Sequence, residues 1–332
     1  MNKKILALFL LISFASPLQI FAAENLFYYF NNVYGYDSFK KNYKEIDIVA
    51  PQVYEVGYDL EIAKLKSKDK KILKEADRKN VATMPLIVND DFSKILMSDI
   101  LINEKAQDKI IDFMIKEAES RNYVGWQFDF ENINHLDRDL YTQFVKKTYE
   151  RMKEEDLRFS VAVIVRSDDY DRNSKNQDWS SAYDYAELAR YSDFLSLMTY
   201  DDPNSIGPVA SLPYVNRIMD YMLEIVPAEK MSLGIPFYCW QWQNGVRAGA
   251  STYRLAEKNY KKGKNRERSF DEILGAEKFV FSLKNTDFVI WCDNDESVKI
   301  KEDIIKEKGL MGFSAWALGQ EDNSIWTYLK NN

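Results

Sequence analysis

The chain has 332 residues, 46% of them hydrophobic and 14% aromatic, with a formal net charge of −7. That length and apolar content suit one large core, because α/β barrels run to 250 residues and beyond as single units. The acidic balance excludes a cationic surface for phosphate backbones, and the basic run KNYKKGKNRER (258–268) reads as a solvated helix end and loop, so no nucleic-acid partner is expected.

The chain opens as a secretory leader. MNKK is a positive n-region, ILALFLLISFA an apolar h-region, and Ala22 and Ala23 offer small residues for cleavage. Residues 1–23 are therefore expected to be a signal peptide and 24–332 the mature protein. An uncleaved anchor is the alternative. No later segment reaches the roughly 18 apolar residues of a membrane span, so no stable span is expected after cleavage. Either way the body is expected outside the cytoplasm, secreted or periplasmic and wall-associated, as a monomer.

Eight short apolar runs follow: NLFYYF (25–30), IDIVAPQVY (46–54), VATMPLIV (81–88), GWQFDFE (125–131), RFSVAVIV (158–165), DFLSLMTY (193–200), MSLGIPFY (231–238) and LMGFSAWAL (310–318). Several are nearly continuous in apolar residues, as buried parallel strands are. Helix-period segments at 60–80, 105–122 and 138–155 separate them. Eightfold strand–helix alternation predicts a (β/α)8 TIM barrel. Between the seventh and eighth strands the gap is too long for one helix. There KFVFSL (278–283) and FVIWC (288–292) read as a hairpin around KNTD, and SVKIKEDIIKEKG (297–309) as the next helix. This predicts a small α+β insertion at about 241–296 within a single mature domain.

Chemistry concentrates at GWQFDFEN (125–132). The two-residue pleat puts Gln127, Asp129 and Glu131 on one face and Trp126, Phe128 and Phe130 on the other. The aromatic face suits the helices, and the polar face points into the barrel near the carboxyl end of the strand, where barrel active sites lie. Two carboxyls this close cannot both ionise cheaply, so one pKa should rise, which is what a general acid needs. A hydrogen-bonded polar barrel core would explain the same pattern. Two cysteines, Cys239 and Cys292, leave a disulfide permissible but undecided. His135 is the single imidazole, which leaves no zinc-finger or HExxH pattern. Neither metal nor cofactor is expected.

MTYD (198–201) ends the sixth strand and AWALGQED (315–322) the eighth. With these, the chain resembles glycoside hydrolase family 18, the chitinase-type barrels, and within it the bacterial spore-germination and cortex-type branch. The family signature DGxDxDxE is matched at Gly125, Asp129 and Glu131, while Val124 and Gln127 replace its first acids. MPLIVNDDFS (84–93), GPVASLPYV (207–215), GIPFY (234–238) and VIWCDNDES (289–297) extend the likeness over the chain beyond the leader.

The resemblance implies hydrolysis of β-1,4-linked N-acetylglucosamine glycans, peptidoglycan or chitin-like, with retention and with the substrate's own acetamido oxygen as nucleophile. It implies Glu131 as acid and base, Asp129 orienting the acetamido N–H, and Tyr200 bonding the acetamido oxygen. Asp201 would line the cleft and Trp316 would form its floor. Gln127, an amide, can donate to Asp129 but cannot titrate. Tyr54, Asn89 and Trp240 are further expected cleft residues from their places after strands, with Trp242 beside them. Trp291 and Asp293 would wall one side, and Glu321 and Asp322 would cap the last helix. A non-catalytic, lectin-like carbohydrate-binding barrel is the alternative.

Overall fold

The structure, a computed structural model, describes residues 23–63, 65–66, 69–168 and 178–332. The expected leader therefore lies almost wholly outside the described residues. Among the described residues no helix is long and apolar enough to cross a membrane.

A closed parallel barrel forms the core. Its strands are β1 (Glu24–Tyr29), β2 (Ile48–Val56), a third position split into β3 (Ala82–Thr83) and β4 (Leu86–Asn89), then β5 (Gly125–Phe128), β6 (Arg158–Ile164), β7 (Phe194–Met198) and β8 (Met231–Pro236). Strand β14 (Gly312–Trp316) completes the ring, pairing with β8 on one side and β1 on the other, while β1 also pairs with β2. The third position breaks at Pro85, which has no N–H to give a ladder. Helices such as Glu104–Arg121, Arg138–Glu154 and Leu212–Ile225 pack outside. The helix expected over 60–80 is described only from Asp69 to Lys79. Ahead of it, Val56 pairs with Ile62 across a tight turn, with Leu60 in the left-handed region.

Alternation along each strand sorts the two faces. Phe27, Val49, Trp126, Phe128, Val161 and Leu195 join the outer core beneath the helices. Leu26, Ile48, Met84, Leu86 and Phe194 plug the barrel interior. Next to that plug lies a polar layer. Tyr28 Oη donates to Gln127 Oε1 at 2.8 Å and is hydrogen-bonded to Ser196 Oγ at 2.5 Å, Gln127 Nε2 donates to Ser160 Oγ at 2.8 Å, and Ser232 and Ser314 bond each other at 2.7 Å. Gly125 enters β5 where a Cβ would sit 2.0 Å from the carbonyl oxygen of Arg158. No side chain fits there, which explains the glycine.

Between β8 and β14 the chain builds a second, antiparallel sheet. Its strands are β9 (Tyr238–Gln243), β10 (Val246–Thr252), β11 (Lys264–Asp271), β12 (Ala276–Leu283) and β13 (Thr286–Cys292), with a helix at Tyr253–Lys262. They lie in the order β10-β9-β13-β12-β11. Strands β12 and β13 turn at Lys284 and Asn285, both left-handed, as the KNTD hairpin anticipates. Phe279, Phe281, Ile290 and Tyr253 form a separate small core here. Cys239 and Cys292 are bonded, with Cα atoms 4.4 Å apart, and the bond ties β9 to β13 across 53 residues. The buried pair Asp293–Lys301 anchors the sheet's exit to the helix Asp295–Lys308.

A crosslink closing a loop this long contributes about 2–4 kcal/mol by restricting the unfolded chain. Replacing both cysteines by serine should therefore lower the thermal midpoint measured by calorimetry. Dithiothreitol should lower it in the native protein and leave the double variant unmoved.

Candidate active site

The site begins with β5. On its outer side Trp126 Nε1 donates to the Met114 carbonyl at 2.9 Å, and the Phe128 ring lies 5.1 Å from that of Phe144. Burial of this face prevents the strand from turning over, so Gln127, Asp129 and Glu131 must face inward. Regular pairing ends at Phe128, short of the expected Glu131. The ladder nevertheless continues, since Gln127 N donates to the Pro85 carbonyl and Asp129 N to the Ile87 carbonyl, each at 3.0 Å. At the next step a side chain replaces the main chain. Glu131 N donates to Asn89 Oδ1, and Asn89 Nδ2 donates back to the Glu131 carbonyl, both at 3.1 Å. Asn132 then turns the chain in the left-handed region and bonds the Phe92 carbonyl at 3.1 Å.

Over this strand end lies a cleft of about 470 Å³, whose lining includes Asp129, Glu131, Tyr200, Asp201, Trp240 and Trp316. Strand β7 delivers Tyr200 and Asp201, and Asp201 Oδ1 accepts from Tyr238 Oη at 2.5 Å. Tyr200 and Tyr238 meet edge to face, 6.3 Å between ring centres. The Trp316 ring is stacked on Phe30 at 5.9 Å and tilted against Tyr28 at 5.2 Å. Its plane is therefore fixed from behind, leaving an apolar face to the cleft.

Removal from water dominates the electrostatics. Burial pushes the Asp129 carboxyl up to about 7. Burial, with the Asp129 and Asp201 carboxyls adding to it, pushes Glu131 up to about 8. The two share one site, and the direction for both is upward because a second anion has little solvent to stabilise it. Asp201 is also raised by burial, against the hydrogen bond from Tyr238 and the positive charge of Arg247. Burial holds Tyr200 well above the ordinary tyrosine value, so it remains a donor. The arrangement offers a protonated carboxylic acid, a second carboxyl two residues away, a phenol donor and an aromatic floor.

Glu131, Asp129, Tyr200, Asp201, Trp240 and Trp316, singled out from the sequence, thus come together. Gln127 is fully buried below them, and its partners are Tyr28 and Ser160. Tyr54 is not in the cleft, contrary to expectation. Its hydroxyl bonds Glu117 at 3.0 Å and Tyr123 at 2.8 Å in the outer core. A bulge between Gln52 and Tyr54 inserts a residue, reverses the face, and leaves Gln52 as the inward side chain. Asn89 likewise does not line the cleft. It is 1% exposed and clasps the Glu131 backbone. Trp242 donates to the Gly207 carbonyl at 3.0 Å, Trp291 is buried, and Asp293 is held by Lys301. Asp322 is the N-cap residue of the last helix, while Glu321 accepts from Trp326 Nε1 at 2.9 Å.

Sequence reasoning missed Tyr28, Gln52, Tyr238 and Gln320, all of which line the cleft. Alternation in β1 could have found Tyr28. The Oε1 of Gln320 is buried with no partner among the described residues, an acceptor left for a ligand's hydroxyl or amide.

The family model described as "Glycosyl hydrolases family 18" matches residues 14–321. Among curated proteins, the uncharacterized glycosylase YvbX of Bacillus subtilis (strain 168) is 30% identical over 273 residues, 78% of this chain and 77% of its own. The cortical fragment-lytic enzyme of the same organism is 26% identical over 275 residues, 77% of this chain, and this chain spans only 61% of its length. Among solved structures, the spore cortex-lytic enzyme SleL of Bacillus megaterium QM B1551 matches with a TM-score of 0.80 at 25% identity, covering 93% of this chain and 74% of that one. A chitinase from Chromobacterium violaceum ATCC 12472 matches with a TM-score of 0.83 at 22% identity, covering 93% and 98%; that likeness bears on the fold alone.

Asn89→Ala removes both bonds that hold the Glu131 peptide. Each buried bond to a lost partner is worth about 1–3 kcal/mol, so kcat should fall about 10- to 100-fold with KM little changed. Asn89→Asp keeps the acceptor for Glu131 N and should recover part of that loss. Steady-state kinetics, with circular dichroism to verify the fold, reads both.

Proposed function

This chain belongs to glycosyl hydrolases family 18 and is a glycosidase, and from that premise we propose that it is an exported, retaining enzyme. Its substrate is a β-1,4-linked N-acetylglucosamine glycan, peptidoglycan or chitin-like. The observation that carries this reading is the raised pKa of Glu131 at the edge of a cleft floored by Trp316. A carboxylic acid that keeps its proton near neutral pH can deliver it to a glycosidic oxygen as the bond breaks.

Substrate-assisted catalysis accounts for the rest of the constellation. The acetamido carbonyl of the reacting sugar attacks its own anomeric carbon, and tethering gives that attack a high effective concentration. Asp129, beside Glu131, accepts from the acetamido N–H and opposes the positive charge that grows on the ring formed. Tyr200 donates to the acetamido oxygen and fixes its direction of attack. Trp316 covers the sugar's C–H face and keeps water from that side. Glu131, deprotonated by the first step, then takes a proton from the incoming water, which opens the intermediate with the original anomeric configuration. Bonded Cys239 and Cys292, with the leader pattern at the amino terminus, support export, since disulfides persist in oxidising compartments.

Glu131→Gln keeps shape and hydrogen bonding but has no proton to deliver. Turnover of chitooligosaccharides or peptidoglycan glycans should drop at least about 1000-fold while binding survives. For the native enzyme, activity should fall as pH rises through about 8, where Glu131 loses its proton. Nuclear magnetic resonance of fresh products should show the β-anomer before mutarotation. Inversion, or turnover by the glutamine variant equal to the native rate, would rule the mechanism out. Sugar binding with no turnover by the native protein would instead support the lectin-like alternative.

A further inference from the structure

The second sheet presents one face to the cleft. Tyr238 and Trp240 of β9 and Ala250 of β10 all line it. In the antiparallel register Ala250 lies opposite Trp240 and Arg247 opposite Trp242. Directly opposed residues share a face. Counting back from Ala250, regular alternation would turn Arg247 to the other side. A bulge between Arg247 and Gly249 inserts the extra residue that brings it back. Gly249 adopts a φ of +119° there, a conformation open to glycine and strained for other residues.

Arg247 is thereby laid over the Trp240 ring, 4.4 Å from its centre. It is exposed, and no acidic side chain among the described residues pairs with it within 4 Å. Its charge reaches the cleft, where it opposes the upward shift of Asp201. A guanidinium has five N–H donors, and those not turned to the indole form a fork that matches a carboxylate. A neutral sugar polymer offers no anion for it. Three carboxyls in the same cleft would otherwise disfavour an acidic ligand.

Resting on the hydrolase reading above, we infer that Arg247 and Trp240 form a subsite for a carboxylate carried by the glycan. The substrate class is then an aminoglycan in which N-acetylglucosamine alternates with a sugar bearing an acid group, in preference to a neutral homopolymer. Trp240 backs the guanidinium from beneath, and Arg247 pairs with the sugar's acid. The bulge at Gly249 is the element that aims the pair.

Binding separates this from turnover. In the Glu131→Gln background, calorimetry compares three glycans: peptide-free strands with free lactyl carboxylates, the same strands with those carboxylates converted to amides, and chitotetraose. The carboxylate form should bind about tenfold tighter than the amide form, as one partly exposed charge-assisted pair provides. Adding Arg247→Ala should bring that ratio close to one. Arg247→Lys should leave an intermediate ratio, keeping the charge without the fork. Gly249→Ala should also reduce it, with no steric clash because a Cβ there meets nothing within 4 Å. Strands that retain their peptides carry the acids on the stem, so tighter binding of those than of the lactyl form would assign the acid to the stem. A ratio of one in Glu131→Gln, a ratio that survives Arg247→Ala, or no binding at all overturns the subsite. Discrimination without any turnover by the native enzyme would overturn the hydrolase reading and leave the subsite standing. Turnover without discrimination would do the reverse.

Discussion

Two carboxyl groups on one face of one strand are held where water cannot stabilise both as anions. The site's other features either enforce that condition or use it. The outer face of β5 is locked by Trp126, Phe128 and Phe130, so Asp129 and Glu131 have no route out of the barrel. Asn89 fixes the peptide of Glu131 after regular pairing has ended. The polar layer of Tyr28, Gln127 and Ser160 satisfies itself beneath them. Burial then raises both carboxyls. The cost of burying the charges is what favours a retained proton on the pair.

The barrel and the second sheet divide the labour. The barrel places Glu131, Asp129, Tyr200 and Trp316 around the cleft. The second sheet, crosslinked through Cys239 and Cys292, supplies a wall whose cleft face carries Tyr238, Trp240 and Arg247. Tyr238 joins the two by bonding Asp201. A wall built on paired strands holds its side chains more firmly than a loop would. Two bulges act in opposite senses: one in β2 turns Tyr54 away from the cleft, and one in β10 turns Arg247 towards it.

Period-two alternation makes the polar face of residues 125–131 legible from the amino acids alone, because one buried aromatic face fixes the other. The eight strands are legible for the same reason, as near-continuous apolar runs between helix-period segments. Tyr54 escapes that logic because a bulge leaves no mark in the pattern it interrupts. Asn89 stands out as a strand-end residue, but its role depends on the stagger of β4 against β5, which the sequence does not carry. Tyr28 looks like an ordinary core tyrosine, and the bond from Tyr238 to Asp201 needs the register of two distant segments. Pairing of Cys239 with Cys292 is undecidable from sequence on the same ground, since 53 residues separate them.

The central claim is that Glu131 keeps its proton at neutral pH because of where the strand places it. Nuclear magnetic resonance titration of side-chain carboxyl carbons in glutamate-labelled protein, with the Glu131→Gln variant assigning the signal, measures this directly. The account predicts an apparent pKa for Glu131 near 8, well above the ordinary glutamate value of 4.5. A midpoint at the ordinary value would show that the cleft solvates Glu131 as an anion and would contradict the account.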